Sequence, residues 1–424
     1  MNTFIPKMIE VRQSYPPSPQ LDFPSLLEQQ FTAAGVRQKV TPGMRIAVGV
    51  GSRGVSNLKE IVKATVDVLK AAGAKPFIIP AMGSHGGATP DGQLGILAGY
   101  GVTPESMGVP IEAAMEARRI GSTPDGFDVL FSVPGLEADA IVVINRVKPH
   151  TDFRGPLGSG VQKMLVIGFG KQAGANNTHR AAVHVGYEHA VREFSKVILN
   201  TVPVLCGVGI VEDQHHQTAE VEVLAREQIV AGELRLLVKA RSLMARLPLD
   251  EVDFLIVDEM GKEVSGTGMD TNVINRDVFG YTASLRRNTA LDTQVHRIFV
   301  RDLSHATHGN ATGIGLADFT TIRAVKAFDT KSTYMNALTS IGILAAKIPI
   351  YFDTDREAIQ EGLATLASDH PEKLRVVRIF NTLSLDRILV SECCAELLSG
   401  LEGVSVTGSP REMQFDQSGN LLPF

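Results

Sequence analysis

The stretch RIAVGVGSRGVSNLKEIVKATVDVLKAAGAKPFIIPA, residues 45–81, decides the architecture of this chain. RIAVGVG (45–51) is a short apolar run of strand length. LKEIVKATVDVLKAAG (58–73) repeats its apolar residues at helical spacing and closes on Gly73, a usual helix stop. KPFIIPA (75–81) reads as the next strand. Strand, helix and strand in this order predict a right-handed crossover and a parallel sheet.

Working outward, the same style continues. ADAIVVINRV (138–147) reads as a buried strand, THRAAVHVGYEHAVREFSKVIL (178–199) as a helix, and VLCGVGIVED (204–213) and TAEVEVLA (218–225) as strands. REQIVAGELRLLVKARSLMARL (226–247) is a long helical pattern with late basic residues, where they suit the helix dipole. LPLDEVD (247–253) is the best boundary, because a fresh strand, DFLIVDEMG (253–261), follows it. HRIFVRDLS (296–304) and LRVVRIF (374–380) are further strands, and DREAIQEGLATLAS (355–368) and SECCAELLSG (391–400) further helices. The tail from Ser409 reads as surface chain. The expectation is an α/β protein of two domains, 1–247 and 248–424. Each should hold a mostly parallel sheet flanked by helices, with an active site in the cleft between them.

Composition narrows the function. With 424 residues, 44% hydrophobic and 21% charged, the chain is an ordinary globular protein large enough for two cores. A net charge of −5, no Trp and six Tyr offer neither a basic footprint nor stacking platforms for nucleic acid. The start of the chain carries no apolar run of signal-peptide character, and no run is long enough to span a membrane. The three cysteines, Cys206, Cys393 and Cys394, form no C-x-x-C pair, so reduced thiols and a cytoplasmic location are expected.

Chemistry gathers in loops that follow strands. Gly49, Gly51 and Gly54 fit the spacing G-x-G-x-x-G, with Ser52 and Arg53 between them. The acid that a dinucleotide fold needs about 20 residues on is missing. Either an anion near Arg53 or tight packing explains these glycines. His85 stands in MGSHGGAT, just past the second strand, where parallel sheets bind ligands. The densest loop runs from Ile144 to Arg180. It carries Arg146, Lys148, His150, Asp152, Arg154, Lys163 and His179 among Gly155, Gly158, Ser159 and Gly160. His184 and His189, five residues apart on one helix, read as structural. His215 and His216 read as a polar loop. His305 and His308, and the loop from Glu263 to Arg276, are further glycine-rich turns after strands.

The GSHGGAT turn, the VKPHTDFRG loop and the spacing of Lys163 and His179 together resemble the nickel-dependent lactate racemase family, well over roughly the first 200 residues and more loosely beyond. The resemblance implies a racemase or epimerase of a 2-hydroxy acid using a nickel-pincer nucleotide. In that reading Lys163 grips the nucleotide, His179 binds its nickel, and His85 and His150 are acid and base. Ser52, Arg53, Gly54, Gly158 and Ser159 would line the nucleotide, and Arg53, Arg154, Lys331 and Tyr334 the substrate. Its partners would be the substrate and the enzymes that make the cofactor, with a homo-oligomer as an option. The alternatives are a relative working in sugar-acid epimerisation or redox chemistry, and a non-catalytic binding protein.

Overall fold

This computed structural model describes residues 4–52, 54–151, 155–278 and 293–423. The chain divides into two compact units, Pro17–Met244 on one hand and Met1–Pro16 with Ala245–Phe424 on the other.

The unit Pro17–Met244 is built on a five-stranded sheet in the order Lys75–Pro80, Arg45–Val50, Ala140–Arg146, Val204–Glu212, Thr218–Ala225. The first four strands run parallel and the last is antiparallel. The strand–helix–strand reading of 45–81 therefore stands, with Ala47 opposite Phe77 in the register. Both faces of the sheet are buried. Ile46, Val48 and Val50 pack with the helices Phe23–Ala33 and Leu58–Ala71. Ala47, Val143 and Phe77 pack with Leu165, Phe169, Val191, Phe194 and Leu236 on the other side. Full burial on both faces is why these strands read as continuous apolar runs rather than alternating ones.

Two local readings change. The segment 178–199 is not one helix but parts of two, Lys171–Val185 and Tyr187–Thr201. They break at Gly186 (φ 84, ψ 151), a backbone conformation that essentially only glycine adopts without strain. The long pattern from 226 forms a 3₁₀ turn at Arg226–Gln228 and then the helix Ile229–Leu243.

The second unit holds an eight-stranded sheet. Its order is Ile350–Phe352, Phe319–Thr321, Gln294–Leu303, Glu251–Met260, Val376–Ile379, Arg387–Ser391, Met8–Gln13, Val404–Arg411. The first five strands are parallel and the last three pair antiparallel. Met8–Gln13, assigned from the sequence to the first domain, lies in this sheet because its partners are Arg387–Ser391 and Val404–Arg411. Local pattern cannot show a partner so far along the chain.

Nor is the tail loose surface chain. Leu421 is buried, and its carbonyl accepts from Arg301 Nη2 at 2.7 Å while its amide donates to Asp355 Oδ2 at 2.8 Å. Arg378 Nη2 donates to the carbonyl of Leu422 at 2.8 Å and also grips Asp258 through two bonds. Among the described residues no helix is long and apolar enough to cross a membrane.

Candidate active site

The glycine-rich loop after strand Ala140–Arg146 is folded tightly on itself. Lys148 and Ser159 exchange two backbone hydrogen bonds of 2.8 Å each. A β-carbon on Gly158 would overlap the Lys148 carbonyl, so a side chain there would open the clasp. Asn145, at the end of the strand, donates to the Gly160 carbonyl at 2.8 Å. The chain then turns into a short helix, Val161–Lys163, a π turn, Met164–Gly168, and the helix Lys171–Val185.

That short helix is anchored by a buried acid. Glu233 Oε2 accepts from the Gln162 amide at 2.8 Å. Its Oε1 lies against Gly160 and finds no hydrogen-bond donor among the described residues. Burial pushes the Glu233 carboxyl up to about 7. Ser195 Oγ donates to Gln162 Oε1 at 3.1 Å, so both ends of Gln162 are held.

Four of the residues singled out from sequence meet here. Lys163 Nζ lies 2.6 Å from His150 Nε2 and 3.4 Å from Ser159 Oγ. Tyr187 forms the wall between them. Its ring centre is 5.9 Å from Lys163 Nζ, 5.0 Å from the His150 ring and 5.5 Å from the His179 ring. Burial, helped by the charge of Lys163, holds the His179 imidazole down at about 4. At neutral pH that ring is neutral, the state a metal ion requires of a histidine ligand. An amine, a neutral imidazole and a backbone cradle too tight for side chains fit a metal-bearing anionic nucleotide.

His85 occupies a different setting. It is exposed, and its Nδ1 contacts Ser52 Oγ. The Ser52 carbonyl accepts from Tyr100 OH at 2.9 Å. The His85 loop packs on the π turn that follows Lys163: the Gly83 amide donates to the Gly168 carbonyl at 3.3 Å. A β-carbon on Gly83 (φ 57) would come within 3.1 Å of the Ile167 carbonyl.

The glycines of the first turn resolve toward packing. A side chain on Gly49 would overlap the Phe169 ring, and one on Gly51 would come within 2.8 Å of Met164 Cε. The helix begins only at Leu58, after Asn57 in a left-handed conformation (φ 56). The first two glycines therefore make room for the segment after Lys163 rather than running into a helix N-terminus. Gly54 is exposed, with Tyr100 3.8 Å from where its β-carbon would be. Arg53, Asp152 and Arg154 lie outside the described residues.

Lys331 and Tyr334 belong to the second unit, on the helix Thr330–Ser340, and both are exposed. Tyr334 meets Phe328 with ring centres 5.9 Å apart. His184 stacks on Phe127 at 6.0 Å, and His189 Nε2 is 3.0 Å from Asp125 Oδ2. Both fasten their helices to the hairpin made by Ala117–Ser122 and Asp128–Ser132. The His215 amide donates to Asp213 Oδ1 at 2.8 Å within a turn. His305 and His308 lie with ring centres 6.2 Å apart in the second unit.

Sequence reasoning missed Tyr187, Glu233, Gln93 and Lys171. For Tyr187 a signal existed: a glycine inside a helical pattern, at 186, marks a break that starts a new helix with the tyrosine facing back. Nothing local pointed to the other three.

The lactate racemase N-terminal domain family matches residues 12–190, a span that contains His85, His150, Lys163, His179 and Tyr187. No curated protein sequence matches the chain. In fold it is similar to the lactate racemase apoprotein from Thermoanaerobacterium thermosaccharolyticum, with a TM-score of 0.52 at 12% identity, over 89% of this chain and 99% of that one. A crystal structure from Thermotoga maritima gives a TM-score of 0.48 at 13% identity, over 75% of this chain and 82% of the other. At such identities the likeness is one of fold. Over residues 12–190 the chain is similar to the lactate racemase N-terminal domain family, and its fold is similar to that of a lactate racemase.

Proposed function

We propose that this protein is a racemase or epimerase of a 2-hydroxy acid that works with a nickel-pincer nucleotide. The observation that carries the reading is the meeting of His150, Lys163 and His179 around Tyr187. Lys163 would hold the nucleotide and His179 its nickel, with the Gly158–Ser159 backbone, Ser52 and Gly54 alongside. When bound, the nucleotide supplies a reversible hydride acceptor for a carbon–hydrogen bond that no side chain can break as an acid.

The chain's own task is then the hydroxyl proton. Lys163 Nζ and His150 Nε2 lie 2.6 Å apart; with an ammonium at Lys163 the imidazole accepts at Nε2 and carries its proton on Nδ1. Once Lys163 engages the nucleotide, Nε2 becomes the acceptor for a substrate hydroxyl. His85, with Nδ1 held by Ser52, would return a proton from Nε2 on the opposite face. Each well-placed base supplies about 10²–10⁴-fold. Arg53 and Arg154 are proposed to orient the substrate carboxylate.

The test is expression together with enzymes that make the nucleotide. Nickel content, the intact mass at Lys163 and loss of optical activity of a 2-hydroxy-acid panel are then measured. Lys163→Ala and His179→Ala should carry no nickel nucleotide. Wild-type protein that never takes it up, or variants that take it up equally, would sink the reading. Loaded protein active on sugar acids alone would keep the cofactor and change the substrate.

A further inference from the structure

Lys171 opens the helix that leads to His179, and it is costly twice over. Its backbone is left-handed (φ 55), and its side chain is wholly buried. Its amine donates to the Pro80 carbonyl at 2.7 Å, at the end of strand Lys75–Pro80, and to Gln93 Oε1 at 3.3 Å. Both partners are neutral oxygens, and burial pushes the amine down to about 8. Gln93, equally buried, donates through Nε2 to the carbonyls of Gly83 (3.1 Å) and His85 (3.3 Å).

An unbroken run of hydrogen bonds thus joins the first residue of the His179 helix to the backbone of His85. Its direction is set by chemistry. An ammonium can only donate, so it faces the Gln93 oxygen and leaves the amide nitrogen to the two carbonyls. With the amide reversed, nitrogen would face ammonium and oxygen would face two carbonyls. Lys171 therefore fixes the orientation of Gln93, and Gln93 fixes the loop. If filling space were the need, an apolar side chain would meet it without the desolvation cost of an amine.

We propose that Lys171 and Gln93 are positioning residues that set where His85 stands relative to His179. The proposal rests on reading His85 as an acid/base and His179 as a metal ligand. Gln93→Glu is the decisive variant. It gives the buried ammonium a carboxylate partner, so the fold is held, but it removes the donors to Gly83 and His85. Apo protein with ¹³C-labelled histidine is compared by NMR. Nucleotide loading, kcat and KM are measured on co-expressed protein.

The expected result is a moved His85 ring resonance with His184 and His189 unmoved, and normal loading. The kcat should fall by roughly 10- to 10²-fold with KM little changed. Lys171→Met should lower kcat similarly. A folded Gln93→Glu protein with an unmoved His85 signal, or with wild-type kcat, would overturn the proposal. Should Lys171→Met fail to fold, Gln93→Glu still decides. Should loaded wild-type protein turn over no hydroxy acid, the functional reading fails, while the His85 resonance still tests the positioning claim.

Discussion

The two histidines proposed as acid and base live in opposite surroundings. His150 is buried, touches Lys163 and faces Tyr187, on a loop whose following helix is anchored by the buried acid Glu233. His85 is exposed, on a loop held from beneath by the buried base Lys171 through Gln93. One side is walled by aromatic and helical packing, the other hangs on a hydrogen-bond relay. The difference suits a site with one enclosed holding side and one open side.

The largest expected effect breaks the comparison at its chemistry. His85→Ala and His150→Ala should each lower turnover of loaded protein by about 10²–10⁴-fold. Only His150→Ala should also change the rate at which an amine-specific reagent labels Lys163 in apo protein. Equal labelling in both variants would mean that the contact between His150 and Lys163 does not matter in solution.

Next comes the wall. Tyr187→Ala should cost about 3–5 kcal/mol of stability in chemical denaturation, as deletion of a buried aromatic does. Ser52→Ala, at the exposed His85, should stay within about 0.5 kcal/mol and yet reduce turnover. A milder test of packing is Gly49→Ala, whose new methyl meets the Phe169 ring. Overpacking of this kind costs about 1–3 kcal/mol.

The sharpest discriminator is pH, because the two anchors respond to it with opposite sign. Glu233 is raised from 4.5 to about 7, so the folded chain holds the extra proton between those values. Its contribution to stability falls as pH rises through that window, by at most about 1.4 kcal/mol per unit. Lys171 is lowered from 10.5 to about 8, so the unfolded chain binds the extra proton there. Its contribution rises as pH climbs from 8 to 10.5. In denaturation series at fixed pH, Glu233→Gln should flatten the acid slope and Lys171→Met the alkaline one. Either variant flattening the other's window would show that the assignments are reversed.

Much of the first unit was legible because its information is local. Apolar runs of strand length and one helix ending at a glycine suffice to write the crossover at 45–81. Lys163, His179, His85 and His150 were legible as residue types in glycine loops and through family likeness. The meeting of Lys163, His150 and His179 was not, because Tyr187 sits beyond a glycine that looks like part of a helix. The tail from Ser409 looked polar and short of pattern. Its burial depends on Arg301 and Arg378, which lie far back in the sequence.

By itself the sequence determined the strand–helix–strand core, the glycine loops and the histidines and lysine they carry. Periodicity and backbone preference act between near neighbours, and a single chain displays them directly. Tertiary structure alone decided that Met8–Gln13 completes the second unit's sheet, that Glu233 anchors the Lys163 turn, and that Lys171 reaches the His85 loop through Gln93. Each of those depends on a buried polar group finding a partner distant in the chain. Such a group is costly to bury alone, so its partner is chosen by the fold, not by its sequence neighbours.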